Sequence, residues 1–382
     1  MGQLTIEYRE TNEEKIGKNA PYTSLFRECL KEAQRISASD IHIEPNTDCL
    51  VIRIRVNGDL FIYKTLDKEY RQSFIQEVKR LCNISIAISN RPQDSRLSLP
   101  SWKLALRVNS TPTLYGEKIV LRLLDMTTDF NLDSVNLSKD VVKDLVESAN
   151  EKNGVIIVSG ATGSGKTRTL FSLLNSLDKE KKNIVSLEDP VEYTFKGINQ
   201  IEIKDSLTFA DGLRAILRQD PDVILVGEIR DYETADLCFK ASATGHLVIS
   251  TLHANNAAKV VERLKNMGVE QFMIDSNLKF SSAQVLIKKL CPFCSFEANL
   301  DEVIKISPLS QLVDKNTFKS RNNKGCSKCK NGIIGRVPVM EYLTKTELAN
   351  IHQLKPKKSL LDEYIEKACS GLIDFKEVAN FE

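Results

Sequence analysis

The chain has 382 residues, 42 % of them hydrophobic and 27 % charged, which is too long for one small domain and ordinary enough to fold as two or three. Its 53 basic and 51 acidic side chains nearly cancel, so global charge gives no reason to expect nucleic acid or an acidic surface as partner. No apolar run approaches the roughly 20 residues that span a bilayer, and Met1 to Lys15 is polar and without a signal-peptide core, so a cytoplasmic location is expected.

Residues 22–36 set Leu25, Phe26, Cys29, Leu30, Ala33 and Ile36 at the spacing of an amphipathic helix. In 40–44 the isoleucines alternate with Asp40, His42 and Glu44, and in 51–56 the same alternation puts Arg53 and Arg55 on one face of a strand. Asn57-Gly58 then makes a tight hairpin turn. Two neighbouring arginines on a strand suit phosphate or carboxylate, although spacing alone favours a solvated sheet face. Helical spacing returns over 68–88, Arg91 to Arg96 reads as a polar turn, and strands are predicted at 102–108 and 118–124. The polar, aperiodic stretch 127–136 is the expected linker between an N-terminal α/β domain, 1–126 with its leading helix, and a second domain, 137–382.

The second domain opens on an apolar β-branched run, 154–159, suited to a strand buried on both faces. Next comes Gly160-Ala161-Thr162-Gly163-Ser164-Gly165-Lys166-Thr167, followed by a helix-forming stretch to Leu177. Strand, glycine-rich turn and helix make the context of a phosphate-binding loop: glycines let backbone N–H groups wrap an anion, Lys166 reaches the β- and γ-phosphates, and the Thr167 hydroxyl ligates magnesium. Predicted strands at 183–190 and 222–228 end in Glu188-Asp189 and in Glu228, where open α/β sheets gather ligands. Gly227 occupies the place where an aspartate is normally expected, which leaves Glu228 alone to hold magnesium through water or to activate the attacking water. Helix capping is the alternative role for such carboxylates. A fourth strand, 247–252, is bracketed by His246 and His253, two of only four histidines, which points to a site role. Of nine cysteines, four form two close pairs, and disulfides are not expected in the cytosol.

These residues resemble the secretion ATPases of type II secretion and type IV pilus assembly. The likeness runs from about Ala33 to Val378 and is carried by Ala38 to Pro45, Arg91 to Asp94, Gly116 to Val120, Glu188 to Tyr193, Leu213 to Asp231 and Thr244 to Asn255. It implies an Asp box at Glu188–Tyr193, a Walker B segment ending at Glu228 and a His box from His246 to His253. It also implies a PAS-like N-terminal domain and a RecA-like ATPase domain, with ATP held between them in a hexameric ring. On that reading Arg53 and Arg55, with Lys68 or Arg71, close over the γ-phosphate, while Arg214, Arg218 and Arg230 act there or across a subunit boundary. The resemblance further implies an inner-membrane platform protein as partner, a cytoplasmic or membrane docking protein, peripheral association with that membrane, and no direct nucleic acid.

Cys291-Pro-Phe-Cys294 and Cys326-Ser-Lys-Cys329 are two C-x2-C knuckles, a ligand set for a tetrahedral structural zinc closing a subdomain over 288–338, as in the assembly and secretion branches of the family. The other cysteines, Cys29, Cys49, Cys82, Cys238 and Cys369, read as core. The chain departs from the family pattern at Asn57, Ser95, Arg168 and Val285; Arg168 follows the phosphate loop and either touches a phosphate or lies exposed. Fewer than 40 residues precede Asp40, where longer relatives carry a further docking domain, so an abbreviated or different docking is expected. A DNA motor and a non-hydrolysing nucleotide-gated scaffold are the competing classes; balanced charge weighs against the first, Lys166 and Glu228 against the second.

Overall fold

Alternation of apolar and polar residues builds the first part of the molecule. The computed structural model describes residues 12–17, 20–204, 206–313, 316–350 and 354–379, and the chain divides into two units, Met1–Thr128 and Asp129–Glu382. In the first unit α1 (Asn12–Gly17) and α2 (Pro21–Arg35) precede β1 (Asp40–Pro45), β2 (Cys49–Val56) and β3 (Asp59–Asp67). Helix α3 (Arg71–Leu81) leads into β4 (Gln93–Leu99), β5 (Leu104–Thr113) and β6 (Gly116–Asp125). The six strands form one antiparallel sheet in the order β3-β2-β1-β6-β5-β4. One face packs Ile41, Ile43, Ile52, Ile54, Leu106 and Leu121 into a core shared with Phe26 and Leu30 of α2 and Phe74 and Val78 of α3. At roughly 1.5–3 kcal/mol for each such side chain, this burial holds α2 in place although no side chain caps its N-terminus.

The other face is ionic. Glu44 lies 2.6 Å from Arg53 Nε and 2.8 Å from Lys118 Nζ, and Asp40 lies 3.2 Å from Arg122 Nε and 3.7 Å from Arg55 Nε. Burial opposes the Glu44 charge, but hydrogen bonds from Arg53 and Lys118 outweigh it and hold the carboxyl at about 2. The hairpin turn forms as its sequence predicts, with Asn57 at φ 53° and Gly58 at φ 96°, both left-handed.

Three local expectations change. Helix α3 stops at Leu81, because Asn83 takes a left-handed φ of 57° beyond it, so the helical spacing over 68–88 is only partly used. The expected turn at Arg91–Arg96 contains the start of β4, an edge strand whose polar residues pair with β5 from Gln93 onward while Leu97 and Leu99 turn into the core. The expected linker contains α4 (Leu132–Val135), capped by the Asn131 side chain, with Leu132 and Val135 buried in the core of the second unit.

That unit continues through α5 (Lys139–Ala149), β7 (Gly154–Ser159), α6 (Lys166–Ser176), β8 (Ile184–Glu188), β9 (Asn199–Glu202), α7 (Phe209–Ile216) and β10 (Val223–Val226). It goes on through α8 (Tyr232–Ala243), β11 (Leu247–Leu252), α9 (Ala257–Asn266), α10 (Gln271–Asn277) and β12 (Leu278–Leu290). Seven strands form its main sheet in the order β15-β12-β7-β11-β10-β8-β9, where β15 (Ile333–Thr344) is antiparallel to β12 and the other pairings are parallel. Every residue of β7, β8, β10 and β11 is buried, which explains why they read as unbroken apolar runs. Helices cover both faces: Leu213, Phe239 and Val260 pack on one, Leu145, Leu170 and Leu174 on the other. Since β7, β11, β10 and β8 run parallel, their carboxyl ends meet along a single edge.

Between β12 and β15 lies a small module with the ribbon β13 (Phe296–Glu297) and β14 (Lys319–Ser320) and the single-turn helices α11 (Leu300–Val303) and α12 (Ser307–Ser310). Its core of Val303, Leu309 and Phe318 merges with Val337 and Val339 of β15 and with Leu360 and Ala368 of a helix at Leu360–Cys369. Among the described residues no helix is long and apolar enough to cross a membrane.

Candidate nucleotide site and metal centre

The phosphate loop leaves β7 at its carboxyl end and turns directly into α6, whose first turn begins at Lys166. Gly160, Gly163 and Gly165 all take positive φ, 143°, 78° and 87°, so the wrap of the loop rests on residues without a Cβ. The amides opening α6 have no acceptor within their own helix and make an anion cradle with the helix dipole behind it. Lys166 Nζ donates to the Gly160 and Ala161 carbonyls at 2.7 and 3.0 Å. Burial lowers its pKa, with Glu228 pulling the other way.

Beside Thr167 a cavity of about 150 Å³ is lined by Glu188, Asp189, Glu228, Arg230 and Thr251. Glu188, 6 % exposed at the end of β8, accepts from Ser186 Oγ at 2.7 Å and from Gln200 Nε2 at 2.9 Å. Burial pushes its carboxyl up and those two donors offset the push only in part. Glu228 is clamped, with His253 Nε2 3.0 Å from Oε1 and Arg230 Nε 2.7 Å from Oε2. Arg230 also reaches Asp189 at 3.3 Å. The other nitrogen of His253, Nδ1, lies 3.1 Å from the Gly160 carbonyl, so one imidazole spans from the phosphate loop to the strand-end carboxylate. Gly227 has a packing reason: a Cβ there would lie 3.1 Å from the Leu187 carbonyl oxygen, tight against the strand that carries Glu188.

Not every residue assigned from sequence joins this group. His246 sits at the start of β11, beside the Gly154 end of β7, with Nδ1 2.8 Å from the Ala241 carbonyl; His253 lies past the other end, a strand of six residues or about 20 Å away. Arg168 donates to Ser134 O at 3.0 Å, tying α6 to the turn of α4, because the first turn of the helix aims it there and away from the cradle. Arg214 pairs with Glu233 and Asp211 on an exposed face, and Arg218 is exposed at the end of α7. Arg53 and Arg55 belong to the first unit and engage Glu44 and Asp40. Ser186, Gln200 and Thr251 escaped the sequence reading; for Ser186 the available signal was its place two residues before Glu188, on the same strand face.

The four paired cysteines come together. The Sγ atoms of Cys291, Cys294, Cys326 and Cys329 all lie within 4.8 Å of one another. The Cys291–Cys326, Cys294–Cys329 and Cys326–Cys329 separations are 3.8, 3.6 and 3.6 Å. A tetrahedral zinc with bonds near 2.3 Å sets its sulfurs about 3.8 Å apart, so the donor set fits that ion in number, chemistry and size. The Cys326 N–H also points at Cys329 Sγ from 3.2 Å, the outer-shell contact that steadies a thiolate ligand.

A sequence profile of the family described as Type II/IV secretion system protein matches residues 15–377. The chain belongs to that family. Within it, "Type IV pilus assembly ATPase PilB" of Acinetobacter baylyi is 39 % identical over 341 residues, covering 87 % of this chain and 59 % of the relative. "Type II secretion system protein E" of Pseudomonas aeruginosa is 40 % identical over 332 residues, covering 85 % of this chain and 66 % of the relative. The chain spans 59 % and 62 % of the length of two pilus-assembly relatives. Among solved structures, the pilus retraction motor PilT with bound ADP aligns with a TM-score of 0.63 at 25 % identity, covering 93 % of this chain and 96 % of that one. The ATPase DotB of Legionella pneumophila aligns with a TM-score of 0.68 at 21 % identity over 94 % of this chain and 96 % of its own, a likeness of fold.

Proposed function

We propose that this chain is an ATP-hydrolysing motor that powers assembly of a type IV pilus or of a type II secretion pseudopilus. The observation that carries the reading is the gathering of Thr167, Glu188 and Glu228 around one cavity beside Lys166 at the carboxyl edge of a parallel sheet. Bound ATP and magnesium would supply the scissile phosphoryl group and a divalent charge. The amides of Gly160 to Thr167 and the Lys166 ammonium hold the phosphates, and Thr167 with Glu228 holds the magnesium. Glu188 and Glu228 orient the attacking water, and Glu188, whose carboxyl is pushed up by burial, takes its proton. Arg230 is already positioned at Glu228, and Arg53, Arg55, Arg214 and Arg218 are further candidates to neutralise developing charge, an effect of about 10³–10⁵ in rate where an arginine reaches the transferring group.

Residues 1–126 then act as the PAS-like domain, 137–382 as the RecA-like ATPase domain with a structural zinc in 288–338, and six copies form a ring. Hydrolysis turns into domain rotation, delivered to an inner-membrane platform protein by a cytoplasmic motor held peripherally at that membrane. The near-neutral charge, 53 basic against 51 acidic side chains, weighs against a DNA motor. The test is steady-state ATP turnover with and without the cytoplasmic part of the platform protein, with DNA as control. Stimulation by the platform alone is expected; stimulation by DNA alone would replace the reading with a translocase.

A further inference from the structure

The loop glycines and the P-loop helix share a neighbour that the nucleotide chemistry leaves unused. Gln284 lies in β12, on the side of β7 away from the carboxylates, and is 1 % exposed. Its side chain is satisfied at both ends by the phosphate-loop segment. Nε2 donates to the Ser164 carbonyl at 2.7 Å, and Oε1 accepts from Thr169 Oγ1 at 2.8 Å. The fit leaves no room for side chains where the loop begins and ends. A Cβ on Gly160 would lie 2.3 Å from the Gln284 carbonyl oxygen, and one on Gly165 would lie 2.9 Å from Gln284 Nε2. Those glycines therefore serve the approach of Gln284 as well as that of an anion.

We infer that Gln284 is a positioning residue for nucleotide binding, acting through the peptide between Ser164 and Gly165. In a trans peptide the carbonyl and the N–H point to opposite sides. Pinning the Ser164 carbonyl toward β12 aims the Gly165 N–H away from β12, into the cradle at the start of α6. The Ser164 carbonyl, an acceptor only, fixes which end of the Gln284 amide faces the loop, and the hydroxyl of Thr169, one turn into α6, donates to the Oε1 left at the other end as well as to the Gly165 carbonyl at 3.4 Å. The binding amide is thus oriented before nucleotide arrives, and its contribution is the same for bound substrate and transition state. Loss of Gln284 raises KM and leaves kcat nearly intact.

This inference rests on the phosphate-loop reading, and the experiment separates the two. Equilibrium binding of a fluorescent ATP analogue and ATP turnover are measured on the full chain, well below its melting temperature, for wild type, Lys166→Ala, Gln284→Met, Gln284→Glu, Thr169→Val and the double variant Gln284→Met with Thr169→Val. Met keeps the volume of Gln and loses both polar ends; Glu keeps the acceptor for Thr169 and turns an acceptor toward the Ser164 carbonyl. Both Gln284 variants are expected to weaken binding and raise KM at least tenfold with kcat changed less than about threefold. Thr169→Val should weaken binding less, and its effect should largely vanish in the Gln284→Met background, as coupled partners require. Wild-type affinity in Gln284→Met, or in Gln284→Glu should Met fail to fold, overturns the inference while leaving the loop reading intact. A loss of kcat equal to the loss of kcat/KM, or full additivity with Thr169→Val, overturns it as well. Unchanged binding in Lys166→Ala would instead remove the phosphate-loop reading, and the inference with it.

Discussion

Glu188 and Glu228 end adjacent strands and differ in what surrounds them. Burial pushes the Glu188 carboxyl up and its two neutral donors offset that only in part; Glu228 is held by a guanidinium and an imidazole. The first arrangement suits a group that accepts a proton, the second a group held in place. Ser186→Ala removes a hydrogen bond that favours the ionised form of Glu188, so the acidic limb of the pH–rate profile should move to higher pH. An unmoved or lowered limb would take the proton-accepting role away from Glu188. At this scale the phosphate loop, Glu188 and Glu228 were legible because each sits in a local pattern of strand and turn. Gln284 was not, because its partners Thr169 and Ser164 lie 115 and 120 positions away in sequence. His246 was read as a site residue because it brackets β11 with His253, and Arg168, next after the phosphate loop, as touching a phosphate or lying exposed; a strand's length carries the first to the other end of β11, and helical phase turns the second toward Ser134.

Among elements, the ionic face of the first sheet and the cysteine module make separable predictions. Glu44 has its carboxyl lowered from 4.5 to about 2, so its stabilisation is fully present above pH 4.5 and is lost as the pH falls through about 2. Glu44→Gln should therefore cost about 2 kcal/mol in denaturant unfolding of the protein near neutral pH, with the difference from wild type closing toward pH 2. A gap that persists at pH 2 would mean that packing, and not charge, is what the substitution removes. Chelation of zinc should loosen residues 288–338, read as faster amide exchange there and a lower melting temperature, while the phosphate loop, with no ligand in the cluster, keeps its protection. A melting temperature that falls without any zinc found by elemental analysis of the untreated protein would contradict the metal assignment. The long apolar strands were readable because burial on both faces erases alternation; β4 was missed because an edge strand with Asp94 and Arg96 outward looks like a turn. The stretch 127–136 looked like a linker because Leu132 and Val135 give too short a pattern to show a helix, and it took the rest of the core to bury them.

For the whole molecule, family membership, a parallel sheet and a carboxylate-lined cavity beside the glycine-rich loop are what support the proposed nucleotide-driven machine. What the chain works on was not written in its charge or composition, since 53 basic and 51 acidic residues leave no global field to name a partner. The measurement closest to the central claim is magnesium-dependent ATP hydrolysis by the purified chain, run beside Lys166→Ala and Glu228→Gln with nucleotide binding followed in parallel. Turnover is expected in the wild type and a loss of at least about 100-fold in each variant, with binding weakened in Lys166→Ala and kept in Glu228→Gln. Near-normal turnover in either variant would contradict the role given to that residue, and a wild type that binds ATP without hydrolysing it would contradict the motor.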